Sequence, residues 1–211
     1  MFKYIIFLSS ITFYSQGKAV TNSFQNVPIH FISTDFETKN PNYMNIIIKK
    51  LRLFSQIAGD EEIVKSVKDQ NSKKLGKKLI LERDKEWKST LKETETKKML
   101  KIRKVSRYLK YVTTNKYKEI LSEAFLTDNQ GANVAAFPLT SDYWQGDETK
   151  WQKAMNSGNC QIVIGDNNYD ESADSKIIQV SIPVYDGKFG TGNCIGVLII
   201  GIKDLYIRKN L

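Results

Sequence analysis

The feature that most constrains the fold is a change in the spacing of apolar residues near Asn115. From Tyr43 to that point apolar residues recur at intervals of three and four, as in a helix packed on one side. Beyond it they alternate with polar residues, as in a strand with one buried face. Helices followed by strands are typical of an α+β fold. The predicted core stripe after Glu61 is Val64, Val67, Leu75, Leu79, Trp87, Leu91, Leu100, Val105, Leu109 and Val112.

The helical half carries the positive charge of the chain. Lys49 to Lys118 holds 22 Lys and Arg against 9 Asp and Glu, a net charge of +13, and the other residues have a net charge of −4. Asp60 is a predicted helix cap, and Gly76 with the preceding polar residues 69–72 predicts a kink or division. The basic residues indicate either a solvated face with Lys–Glu pairs or a face that contacts an anionic surface. No nucleic-acid motif accompanies them, so we expect no nucleic-acid partner.

The second half predicts five strands and one helix. The turn signal Asp128–Gly131 joins the first two strands, and a helix from about Glu148 to Ser157 follows them. A polar connection is expected over residues 166–175. The resulting order is ββαβββ, which with the earlier residues gives long N-terminal helices packed on a five-stranded antiparallel sheet. The predicted strands are Tyr117–Thr127, Ala132–Leu139, Cys160–Gly165, Ile177–Tyr185 and Cys194–Lys203, the last so apolar that we expect it to be central.

The N-terminus is typical of an export signal over residues 1–19, the alternatives being an uncleaved anchor or a plain apolar start. Lys3 precedes an apolar run of 11 residues, Tyr4 to Tyr14, and small residues flank Lys18 at a plausible cleavage site. The run is too short to cross a bilayer, which takes about 20 residues. We therefore expect a periplasmic or secreted protein with no transmembrane segment after the signal is removed. The further divisions are a lead-in loop over 20–41, a basic helical segment over 42–115 and a sheet domain over 116–211 that forms one unit with the preceding helix.

Two cysteines, Cys160 and Cys194, remain after the signal. In an oxidising compartment they could form a disulfide that closes a loop of about 35 residues, worth roughly 3–4 kcal/mol. The alternative is two separate buried side chains, and the sequence leaves both open. With His30 as the single histidine they make no zinc site, and we expect no metal or cofactor.

The candidate site is the stretch Leu139 to Trp151 between two predicted strands. Ser141 or Asp142 can cap a turn there, and the stretch carries Tyr143, Trp144 and Trp151. Aromatic rings with a few polar groups are typical of small-ligand pockets. No nucleophile–base pair stands beside them, so we expect recognition and not an enzyme. The alternative is that Trp144 and Trp151 only fill the core.

These segments, in this order, resemble the Cache family of extracellular sensor domains, in its single-unit PDC-like branch. The resemblance covers roughly residues 116–203. The segments that carry it are Phe125–Gly131, Thr140–Glu148 with Trp151, Tyr169–Ser172, Val180–Asp186 and Ile195–Leu198.

The resemblance implies a ligand site and a role in signalling. Cache domains bind small metabolites such as amino acids, carboxylates or amines and report occupancy to a signalling module. It implies Tyr143 and Trp144 as aromatic contacts and Asp170 as the partner of a ligand ammonium, against the alternative that Asp170 caps a turn. The arginine that holds a carboxylate in amino-acid-binding relatives has no counterpart between Arg107 and Arg208, so an amine or other cation fits better.

Three further residues, Ser141, Trp151 and Ser181, complete the predicted ligand set, although Ser181 could instead face solvent. The expected function is an exported stand-alone sensor domain that presents its ligand to a membrane-bound signalling partner. The alternative is a non-catalytic interaction module whose basic helices dock on an anionic membrane surface or on a protein partner.

Overall fold

The computed structural model describes residues 22–24, 26–32, 41–170 and 175–211. The predicted export signal, residues 1–19, lies outside them. The described helices are α1 Pro41–Ala58, α2 Glu61–Asn71, α3 Lys77–Ser89, α4 Glu95–Ile102, α5 Lys104–Tyr111, α6 Thr149–Met155 and α7 Asp204–Arg208. The described strands are β1 Asn22–Phe24, β2 Val27–Phe31, β3 Leu121–Thr127, β4 Asn133–Phe137, β5 Ile162–Asp170, β6 Ser175–Tyr185 and β7 Cys194–Lys203.

The strands form one seven-stranded sheet in the order β1-β2-β5-β6-β7-β3-β4. β7, the most apolar strand, lies at an inner position between β6 and β3, as expected from its composition. The predicted hairpin turn is also present. Asp128 Oδ1 accepts the N–H groups of Gln130 and Ala132, each at 2.9 Å, and Gly131 takes the positive φ of 81° that closes the turn.

The α+β class and the five predicted strands are confirmed, and two further strands precede them. β1 and β2 lie in the segment 20–41 that was expected to be a loop, because polar residues and Pro28 conceal an alternating pattern there. Val27, Ile29 and Phe31 are buried in turn. β2 pairs with β5 in parallel, so the sheet is mixed and not wholly antiparallel. β5 also extends to Asp170 through the expected polar connection.

Helices cover both faces of the sheet. The helix face buries Val180 and Ile200 against α1, α2, α5 and α7. The other face, which we call the loop face, buries Val163 and Ile199 against α3, α4, α6 and the stretch that contains Tyr143. The basic helical segment therefore contributes to both layers.

The basic segment divides where its sequence predicted a break. α2 ends at Asn71 and α3 begins at Lys77. Each break resets the rotation of the next helix, so the single stripe predicted across them fails in places. Leu79 is 39 % exposed and Leu91 is fully exposed, whereas Ile80 is completely buried.

Candidate functional site

One carboxylate from α3 holds the aromatic stretch in place. Asp84 Oδ1 accepts the backbone N–H groups of both Tyr143 and Trp144, each at 3.0 Å. The indole N–H of Trp87, one turn along α3, donates to the carbonyl of Thr140 at 2.9 Å. Lys88 pairs with the second oxygen of Asp84 at 2.8 Å. The helical segment thus positions the predicted site, a role that the sequence did not reveal.

The stretch also packs closely on the β3–β4 hairpin. Gln145 N–H donates to the carbonyl of Gly131 at 2.8 Å, and Asn133 N–H donates to the carbonyl of Tyr143 at 3.0 Å. A Cβ atom on Gly131 would lie 2.5 Å from Gly146 Cα, and one on Gly146 would lie 2.7 Å from the carbonyl oxygen of Gln130. Glycine is therefore required at both positions for the two backbones to approach each other.

Tyr143 lies inside the core of the loop face with no exposed surface. Its ring centroid is 5.9 Å from that of Trp87. Its hydroxyl is buried, and the guanidinium of Arg83, on α3, lies within reach of it. Burial raises the pKa of the Tyr143 hydroxyl, while a hydrogen bond with Arg83 and the charge of that guanidinium lower it. Arg83 supplies a cation beside the predicted site from α3, outside the range between Arg107 and Arg208 that lacks an arginine.

The two tryptophans direct their N–H groups to internal acceptors. Trp144 Nε1 donates to the carbonyl of Gln130 at 2.8 Å, and Trp151 Nε1 donates to Thr127 Oγ1 at 3.0 Å. The ammonium of Lys77 lies 3.0 Å from the ring centroid of Trp144. Burial lowers the pKa of Lys77, although neighbouring carboxylates, first among them Asp147, oppose the shift. The face of Trp144 that was expected to attract a ligand cation therefore already contacts a cation of the protein.

Ser181 lies on the loop face and is 1 % exposed, so it does not face solvent. It is directly opposite Val163 on β5 and Ile199 on β7, two residues of that buried face. Its hydroxyl has no partner among the described residues, and the same holds for Nε2 of His30.

His30 belongs to the same row of the sheet. It lies opposite Val163 on the next strand, so strand spacing puts it about 10 Å from Ser181. Burial, aided by the charge of Lys153, lowers the pKa of His30 and keeps the ring neutral at pH 7.

The remaining predicted residues are placed differently. Ser141 is exposed, and its hydroxyl donates to Asp142 Oδ1 at 3.4 Å. Asp170 ends β5, where its backbone lies opposite Ser175, but its side chain lies outside the described part of the chain. Cys160 and Cys194 form a disulfide with their Cα atoms 6.3 Å apart, so the paired alternative is the one in the structure.

Carboxylates gather at the start of α6. One oxygen from each of Asp142, Asp147 and Glu148 lies within 4.8 Å of the others. Burial raises the pKa of Asp142, and the ammonium of Lys88, 3.8 Å away, lowers it. Lys88 therefore supplies positive charge to this cluster from within the protein.

The predicted site residues thus divide into three groups. Tyr143, Trp144 and Trp151 belong to one cluster on the loop face, and Ser181 lies on the same face. Ser141 is on the surface, and Asp170 is described by its backbone alone. The hydroxyls of Tyr143 and Ser181 and the guanidinium of Arg83 are groups suited to polar recognition.

Among the described helices, none combines the length and the apolar character that crossing a membrane would require.

Comparison with known proteins gives matches of structure alone. No family model matches the sequence, and no curated protein matches it. The structure is similar to the sensor domain of the Vibrio cholerae histidine kinase DctB, with 14 % identity, 83 % of this chain covered and a TM-score of 0.44. It is similar to the ligand-binding domain of the Pseudomonas aeruginosa amino-acid chemoreceptor PctC in complex with GABA, with 14 % identity, 83 % covered and a TM-score of 0.45.

A third similar structure is the sensory domain of the Campylobacter jejuni chemoreceptor Tlp3 with isoleucine bound, with 17 % identity, 84 % of this chain covered and a TM-score of 0.38. The chain spans 57 % of the DctB domain, 62 % of the PctC domain and 66 % of the Tlp3 domain. All three are sensor domains of the PDC/Cache type. Similarity at this level concerns the fold and not individual residues.

Proposed function

We propose that this chain is a Cache-type sensor domain that binds a small carboxylate-bearing metabolite, an amino acid or a short carboxylate, on its loop face. The observation that carries the proposal is a pair of buried polar atoms on that face, Ser181 Oγ and His30 Nε2, that have no partner among the described residues. Most buried polar atoms in proteins have a hydrogen-bond partner, because an unmet one costs about 1–3 kcal/mol. A polar ligand between the sheet and the aromatic stretch would supply those partners.

The charges near these atoms favour an anionic group over an amine. Arg83 acts on the hydroxyl of Tyr143, and Lys153 acts on His30. The guanidinium of Arg83 can take the role of the arginine that is absent between Arg107 and Arg208, since a guanidinium binds a carboxylate through paired N–H donors. Lys77 meanwhile occupies the ring face of Trp144, which removes the main argument for a simple amine.

Ligand-induced thermal stabilisation tests the proposal. We expect an amino acid or a short carboxylate to raise the melting temperature with concentration, because a ligand at 100 times its Kd adds about 2.7 kcal/mol. Ser181→Ala should reduce that rise while leaving the free protein as stable as the wild type, since the Ser181 hydroxyl has no partner among the described residues. Tyr143→Phe should also reduce the rise, although it removes a hydrogen bond with Arg83. Ser141→Ala, an exposed serine of the same stretch, is the matched control. The proposal fails if no carboxylate produces a rise, or if both variants respond as the wild type does.

A substitution at Asp170 distinguishes between amino acids and simple carboxylates as ligands. If its carboxylate takes an ammonium, as the resemblance implies, Asp170→Asn should weaken the response to amino acids and leave the response to simple carboxylates unchanged. Equal weakening of both responses would contradict this role.

A periplasmic or extracellular location and a membrane-bound signalling partner are part of the same proposal. They are supported by the export signal expected over residues 1–19 and by the disulfide between Cys160 and Cys194, because disulfides persist in oxidising compartments. Cleavage after residue 19, read from the N-terminal sequence of the exported protein, would test the location.

A further inference from the structure

A second concave site lies between α5 and the end of β4, apart from the polar atoms of the loop face. It has a volume of about 370 Å³. Its apolar lining comes from the segment 136–139, in which Phe137 and Leu139 are partly exposed. Its polar lining comes from three cationic side chains and one hydroxyl of the basic helices: Lys101, Arg107, Lys110 and Ser106. Among the described residues no Asp or Glu lines it, so the site combines an apolar floor with a positive rim.

Two of the three cations have no acidic partner in the described chain. Lys101 pairs with Glu93 at 2.7 Å. Arg107 uses one N–H group on the carbonyl of Ile102, at 2.6 Å, and the rest of its five donors face no carboxylate. Lys110 lies 5.6 Å from the ring centroid of Phe137. Most lysines on exposed helices simply face solvent, but here the cations surround a concave apolar floor.

Ser106 adds an independent observation. It is 5 % exposed, lies among the residues that line the site, and its hydroxyl has no hydrogen-bond partner among the described residues. Ser106 is the third residue of α5, and the carbonyl four residues earlier, of Ile102, belongs to α4, on the other side of the extended backbone at Arg103. The hydroxyl therefore has no carbonyl of its own helix to bond at that position.

We propose that this site, the α5 groove, binds a small amphipathic anion, with a carboxylate or phosphate head and a short apolar body. The anionic head lies between Arg107 and Lys110 and accepts charge-assisted hydrogen bonds from both, which are stronger than bonds between neutral groups. It also accepts a hydrogen bond from Ser106. The apolar body lies on Phe137 and the neighbouring residues of segment 136–139. This ligand would be distinct from the one proposed for the loop face, because the two sites share none of the groups that bind.

Calorimetric titration with hexanoate tests the groove on the full protein. We expect hexanoate to bind, and both 1-hexanol and inorganic phosphate to bind at least about tenfold more weakly. The alcohol lacks the anionic head, and phosphate lacks the apolar body. Arg107→Gln should weaken hexanoate binding about tenfold, the loss expected for one charge-assisted hydrogen bond. Ser106→Ala should weaken it severalfold without lowering the melting temperature. Arg52→Gln, the same change on exposed residue 52 of α1, should leave binding unchanged.

Two further experiments test which site binds hexanoate and whether the anion can be a lipid headgroup. Tyr143→Phe should not affect hexanoate binding, because Tyr143 does not line the α5 groove. The two proposals can therefore fail independently of each other. Vesicles of phosphatidylglycerol test whether the head can belong to a lipid, and binding of both vesicles and hexanoate that is lost in Arg107→Gln supports the groove. Absence of hexanoate binding, binding to vesicles alone, or hexanoate binding that Arg107→Gln does not change would overturn the proposal.

Discussion

Asp84 shows how a single side chain connects the two halves of the sequence. It belongs to the basic helical half, yet its Oδ1 satisfies two consecutive N–H groups of the aromatic stretch. The bond to Tyr143 is buried and the bond to Trp144 is partly buried, with Asp84 itself 7 % exposed. The geometry of the candidate site therefore depends on a residue about 60 positions away in the chain.

Asp84→Ala is expected to destabilise the protein by about 3 kcal/mol, because the N–H groups of Tyr143 and Trp144 lose their acceptor and Lys88 loses its partner at 2.8 Å. Urea denaturation measures this loss. Glu82→Ala, on the same helix, is the control, since the exposed Glu82 lies 4.0 Å from Lys78 and such surface pairs contribute about 0–1 kcal/mol. Equal losses in the two variants would show that Asp84 does not hold the stretch.

At the scale of elements, the strands of the second half were predictable because each has an alternating or continuous apolar pattern bounded by turn signals. β7 begins and ends where its apolar run does, and the β3–β4 turn forms at Asp128–Gly131. β1 and β2 were not predictable in the same way. β2 is five residues long, contains Pro28 and pairs with β5, which lies more than 130 positions later in the chain. Such a pairing depends on which sheet edge is free, and local sequence does not encode that.

The candidate site was predictable in part for a related reason. The aromatic stretch could be found because its cap residues and rings are consecutive in sequence. Arg83, Asp84 and Lys77 were missed, since the breaks after Asn71 and Ser89 set the rotation of α3 independently of its neighbours. The burial of Ile80 beside the partly exposed Leu79 shows which side of α3 faces the core. The sequence alone does not indicate that side.

The disulfide is the covalent link between two elements, since Cys160 precedes β5 and Cys194 begins β7. Replacing both cysteines by serine is expected to lower the free energy of unfolding by roughly 3–4 kcal/mol, because the open chain gains entropy when unfolded. Thermal denaturation with and without a reductant measures the effect. The reductant should lower the melting temperature of the wild type and leave the double variant unchanged. A wild type that is insensitive to full reduction would contradict the prediction.

At the scale of the whole molecule, the two faces of the sheet have different partners. The loop face holds the unmet polar atoms proposed to bind a ligand, whereas the helix face holds α1 and α7, the first and last helices described. Ser181 and its neighbour Val180, on β6, point to opposite faces. A ligand that moves β6 would therefore act directly on the side where α1 and α7 meet.

The contact between those two helices includes a buried hydrogen bond from the hydroxyl of Tyr43 to Asp204, which Arg208 also contacts. Burial, together with this bond, raises the pKa of Tyr43 to about 12, so the hydroxyl remains protonated and donates. Tyr43→Phe is expected to cost about 1–3 kcal/mol, since it leaves Asp204 short of a donor, and to speed amide exchange in α7. Tyr206→Phe is the control, because its ring keeps the contact with Lys50. Unchanged exchange in α7 for Tyr43→Phe would mean that this bond does not couple the two helices.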